Sequence, residues 1–167
     1  MDPEPWLRGP LPGVDPYLMP AAHALTHAAE DLARAVADVP AGALWTRPGG
    51  AASVGFHLRH ISGSIDRLLS YARGQALTDE QRAAAKSEEQ PGAPGDAPAL
   101  LADAQHAIAV ALAQIRSTPR ETLLAARAVG RAGLPSTVLG LLFHVGEHTQ
   151  RHTGQLIATA RAVRDVR

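Results

Sequence analysis

The residues best suited to chemistry are histidines. The 167-residue chain holds eight. Three of them, His144, His148 and His152, recur every fourth position in one proline-free run, Leu139 to Ala160, which reads LGLLFHVGEHTQRHTGQLIATA. In a helix, residues four apart stack on one face. Leu141, Leu142, Val145, Leu156 and Ile157 keep helical spacing beside them, so the face leans into a core. Two imidazoles one turn apart have Cβ atoms about 5–6 Å apart. Metal–nitrogen bonds of about 2.0–2.1 Å let such a pair share one divalent cation. Random placement of the histidines gives roughly 0.4 pairs at any one spacing, whereas three pairs are present: His23/His27, His144/His148 and His148/His152. The competing account is that these histidines only pack the core.

Two ligands on one helix leave a cation under-ligated, and helical bundles complete such sites from facing helices. The stretch SVGFHLRHISGSIDRLLSYARG offers His57 and His60, three apart. His60 falls beside Phe56, Ile61 and Ser64 on the expected buried stripe, with His57 nearer its edge. Three neutral imidazoles would leave a coordination position open, the pattern of catalytic rather than structural zinc. Such a site lowers the pKa of water or activates a thiol at neutral pH. All-histidine ligation suits Zn, Ni, Cu or Fe.

Ser64, Gln155 and Glu147 are the acceptors expected to steady the ligating rings, although Glu147 also suits a surface pair with Arg151. His144 could be a ligand, a donor behind the ligands, a pocket wall or a buried histidine bonded to a carbonyl. His57 has the same alternatives, behind the ligands, in the pocket or simply buried. A bundle could bring His23 near the site as a pocket residue, although it also fits an amphipathic edge. His106 fits an exposed position, and Arg59, Arg67 and Arg73 a solvated face from which one could meet an anionic substrate.

The elements that must position these groups read as helices. Residues 1–16, rich in proline and glycine, form an irregular arm with Trp6 as its anchor, and residues 17–167 form one domain. A first helix runs from about Tyr17 to Val39, with a stripe of Leu25, Ala28, Ala29, Leu32, Val36 and Val39, and Pro40 ends it. A second runs from about Ala51 to Arg73, with Ser53 as N-cap and Gly74 as the stop. Thr78 and Gln81 make a capping box for a short polar helix, about Asp79 to Glu89. A loop with three prolines, 91–98, is expected to be mobile. The third long helix covers Ala99 to Ser117, and the fourth is capped by Ser136 and carries the histidine run to about Val163. No strand pattern persists. The fold class is therefore all-α, a four-helix bundle with one short extra helix.

Composition narrows the function. Sixteen basic and sixteen acidic side chains give a formal net charge of zero, which argues against a nucleic-acid binder. There is no cysteine, hence no disulfide, thiolate nucleophile or cysteine zinc site. No signal peptide or uninterrupted apolar span is evident, so no membrane partner is expected and the cytoplasm is the expected compartment. No Ser-His-Asp arrangement or phosphate-cradling glycine loop is identifiable.

Two blocks, GGAASVGFHLRHISGSIDRLLSYARG and LPSTVLGLLFHVGEHTQRHTGQL, resemble the DinB family of metal-dependent helical-bundle proteins. The paired motif is one histidine in the second helix, then H-x-x-x-H followed by G-Q in the last. The resemblance covers most of the chain from Pro20 on. It implies a four-helix bundle, a homodimer and a divalent metal held by His60, His148 and His152. Gly154, two residues after His152, departs from the H-x-x-x-H-x-E pattern of related non-haem iron enzymes. Characterised relatives act as thiol-dependent transferases or isomerases. The resemblance thus implies a low-molecular-weight thiol as cofactor and hydrolysis or transfer on a small electrophilic substrate. The alternative is a non-enzymatic, dimeric metal- or ligand-binding module in a stress response.

Overall fold

A computed structural model describes residues 3–165. Its long helices are α1 (Met19–Ala37), α2 (Val54–Ala72), α4 (Ala97–Ser117) and α5 (Val138–Asp165), with a shorter α3 (Asp79–Ser87) between α2 and α4. α1 packs on α5 and α4, and α2 packs on the same two. α1 and α2 therefore lie at opposite corners of the bundle, and so do α4 and α5. This arrangement sets α2 directly beside α5, although the two are far apart in sequence.

The core is aliphatic. Leu25 and Leu32 of α1, Leu58, Ile61, Ile65 and Leu69 of α2, Ile108 and Ile115 of α4, and Leu142 and Leu156 of α5 are all about 1% exposed or less. Burying each such side chain is worth about 1.5–3 kcal/mol. The buried stripe of α2 is rotated relative to the sequence expectation. It runs through Val54, Leu58, Ile61, Ile65, Leu69 and Ala72, while Phe56, His60, Leu68 and Tyr71 are only half-buried. The four Leu and Ile residues, spaced three, four and four apart, outcompete the aromatics for the centre.

The cores of α1 and α5 approach closely because α5 carries Gly146. A Cβ there would lie 3.0 Å from the Cα and carbonyl oxygen of Ala21. α4 is long and apolar enough to cross a membrane by length and composition alone. Its stripe of Ala104, Ile108, Ala111 and Ile115 is used in the bundle core.

Local signals explain the helix ends. Ser53 Oγ accepts from the Phe56 N–H as the N-cap of α2, and both halves of the Thr78–Gln81 capping box form at α3. Three expectations need correction. Residues Ala126–Val129 (β1) and Leu134–Thr137 (β2) pair as an antiparallel hairpin, Ala126 opposite Thr137. Strands of four residues, flanked by Gly130 and Gly133, are too short to show a periodic pattern. Ser136 consequently lies in β2 and does not cap the last helix; Thr137 does, its Oγ1 accepting from the Gly140 N–H at 3.0 Å. Trp6 is 59% exposed and does not anchor the arm. The arm is tied instead by Arg8, whose guanidinium pairs with Glu30 of α1, and by His23, whose Nε2 meets the Gly9 carbonyl oxygen at 3.0 Å.

The loop 91–98 has anchors as well. Trp45 Nε1 donates to the Ala93 carbonyl, and Asp96 accepts from the Ala93 N–H.

A candidate metal centre between α2 and α5

The groove between α2 and α5 collects histidines from both helices. His60, His148 and His152 each offer a ring nitrogen, and all three nitrogens lie within 4.8 Å of one another. His60 Nε2 and His148 Nε2 are 2.9 Å apart. The ring centroids of His60 and His152 are separated by 4.3 Å, and those of His148 and His152 by 4.5 Å. Helical spacing of four puts His148 and His152 on one face, and Phe56 stacks on His60 with 14° between the ring planes.

His57, His148 and His152 are held neutral. Burial, reinforced by the neighbouring histidines, pushes His148 down to about 4 and His152 down to about 3. Burial and the proximity of His60 push His57 to about 4. At neutral pH these imidazoles therefore present lone pairs rather than positive charge. His148 Nδ1 is buried without a hydrogen-bond partner, in a cluster where two Nε2 atoms already point at each other. Buried polar atoms are normally paired. Imidazole nitrogens converging from two helices are a donor set that fits a divalent cation.

A profile of the DinB superfamily matches residues 24–156, a span holding all of these histidines. The chain belongs to the DinB superfamily. No curated protein matches it.

The remaining candidates of this DinB chain are distributed as follows. His57 is 3% exposed, more deeply buried than His60 and not at the stripe's edge. Its Nδ1 lies 3.2 Å from Nδ1 of His152, which leaves Nε2 of His152 to face the cluster. His144 is not a buried histidine bonded to a carbonyl. Its side chain is 45% exposed and its Nδ1 is 3.1 Å from Glu147, with its ring 5.2 Å from that of His148. His23, on α1, faces Gly9 of the N-terminal arm and not the cluster. Gln155 is exposed and Ser64 donates to the Ile61 carbonyl, so neither steadies a ring of the cluster. Glu147 takes Arg151 on the helix surface.

The acceptor behind His60 is Glu88, which the sequence reading did not single out. Its Oε2 accepts from His60 Nδ1 at 2.7 Å, and its Oε1 accepts from Arg67 at 2.7 Å. Burial opposes ionisation of Glu88, but the hydrogen bonds from His60 and Arg67 outweigh it and hold the carboxyl below its usual range. Arg67 is thus engaged at the site and not on a solvated face. Arg59 stacks over Trp45 and donates to the Gln90 carbonyl, and Arg73 donates to Gln114. Glu88 stands 28 residues from His60 with no periodic relation to it. Nothing in the sequence separates Glu88 from its exposed neighbour Glu89, so no local signal marked it.

Proposed function

We propose that this protein is a metal-dependent enzyme of the DinB type, with His60, His148 and His152 holding one divalent cation. The observation that carries the reading is the meeting of three imidazole nitrogens, from two helices, within 4.8 Å. A cation bound by three histidines keeps an open position and supplies Lewis acidity that brings water or a low-molecular-weight thiol towards its anion near neutral pH. The reaction is then hydrolysis or group transfer on a small electrophile. The chain's own residues do the positioning. His57 holds the back of His152, Glu88 that of His60, and Phe56 shields one face of His60 from water. Family membership and the alanine-rich outer face of α4, with Ala102, Ala109 and Ala113 exposed, support a homodimer.

The test is elemental analysis of tag-free protein and its His60→Ala variant, followed by assay against small electrophiles with and without thiols. Stoichiometric metal in the wild type alone, with turnover, is the expected result. Wild-type protein without metal overturns the reading.

A second reading, a metal-binding module without turnover, is favoured by one observation: His57 sits 3.2 Å from His152. Were its ring to join the other three, four protein ligands would close the site, as in structural zinc centres. Co²⁺ spectra that respond to added azide or thiol in wild type support the open site, and spectra that do not respond support the closed one.

A further inference from the structure

Between Ala72 and Ala104 the chain leaves the bundle, forms α3 and returns as α4. In that whole stretch one residue is buried, and it is an acid: Glu88, 7% exposed. α3 itself sends no residue into the core. It is held on α2 by polar contacts: Gln81 near its start donates to Asp66 and Ser70, and Glu88 just past its end takes His60 and Arg67. Burying a carboxylate is costly unless its partners compensate, so an excursion that buries only a carboxylate calls for an account.

The opposite wall supplies a second observation. Gly63 lies in the middle of α2, where glycine is the poorest helix former after proline. A Cβ at that position would stand 2.6 Å from Glu88 Oε1 and 2.8 Å from Arg67 Nη1. The missing side chain is the room in which the carboxylate sits.

We propose that Glu88 is a positioning residue of the histidine cluster, carried by α3 to fix the orientation and tautomer of His60. With Nδ1–H donated to Glu88, Nε2 of His60 is the nitrogen free to face His148, and the carboxylate makes that nitrogen a better donor to a cation. Linkage is reciprocal. A cation that needs His60 in this orientation also favours docked Glu88, and with it docked α3. The inference rests on the metal reading above.

Zn²⁺ affinity, measured by competition with a chromophoric chelator, tests it in wild type, Glu88→Ala, Glu88→Gln and Gly63→Ala. Amide exchange across residues 79–90 with and without Zn²⁺ is the second readout. The expected result is a dissociation constant raised about 10–100-fold in both Glu88 variants and severalfold in Gly63→Ala, with Zn²⁺ slowing exchange in α3 of wild type but not of Glu88→Ala. If Glu88→Ala does not fold, Glu88→Gln and Gly63→Ala decide. Variants that lose thermal stability yet bind Zn²⁺ within about twofold of wild type overturn the proposal, leaving Glu88 a structural acid. Wild type that takes up Zn²⁺ while His148→Ala does not keeps the metal reading standing whatever Glu88 does; wild type that takes up none overturns both.

Discussion

α5 and the excursion from Arg73 to Asp103 meet at the same histidine cluster but are built on opposite terms. α5 buries Val138, Leu141, Leu142, Val145, Leu156, Ala160 and Val163 along its length, so its two cluster histidines ride on a helix secured by apolar packing. The excursion has no fully buried apolar residue, only Ala97, Leu100 and Leu101 half-buried against the core, and it reaches the cluster through one carboxylate. The first arrangement makes stability and donor placement inseparable. The second lets a polar contact be altered with little cost to the core. The cluster nitrogens thus ride on helices packed by apolar side chains, and the carboxylate bonded to His60 lies on a segment docked by polar contacts.

The contrast can be broken at several points. His148→Ala has the largest expected effect on chemistry, complete loss of stoichiometric metal by elemental analysis, with helical content by circular dichroism retained. Leu142→Ala, in the same helix, is expected to cost about 2–5 kcal/mol of stability by denaturant titration, since it leaves a cavity at a fully buried site. A comparable loss from Glu88→Ala would abolish the contrast between the two regions.

Metal-free protein should also lose stability in acid. His57, His148 and His152 have folded pKa values below the ordinary 6.5. Between pH 6.5 and about 4 the unfolded chain therefore binds more protons than the folded one, and stability falls as pH falls. Their stabilisation is fully present above pH 6.5 and declines through the folded pKa values. Denaturant midpoints measured from pH 7 to 4 check the direction, and a flat profile would contradict it. Thr78→Ala, which removes the α3 cap, is expected to cost about 1 kcal/mol and to raise amide exchange in α3 only. Arg151→Ala breaks a surface pair with Glu147 whose side chains are 50% and 37% exposed. It is expected to change stability by about 0–1 kcal/mol.

Legibility followed the range of the interaction. Ser53, Thr78 and Gln81 act through backbone groups three residues away, so the helix starts they cap were readable directly. The stripe of α2 was legible only to within one helical position. Phe56 and Leu58 both satisfy the period, and only packing against α4 and α5 decided that the aliphatic residues take the centre and that His57 goes deeper than His60. The hairpin at 126–137 escaped because four-residue strands are shorter than any period can establish.

What the residues alone determined was an alanine- and leucine-rich helical bundle and a last helix with imidazoles on one face. Both follow from spacings of three and four, which the geometry of the α-helix converts into position without help from the rest of the chain. The convergence of α2 on α5, the burial of His57 and the delivery of Glu88 to His60 were decided by the tertiary structure. Each joins groups separated by long stretches of chain, and only the packing order of the helices, with the space left at Gly63, brings them within hydrogen-bonding reach.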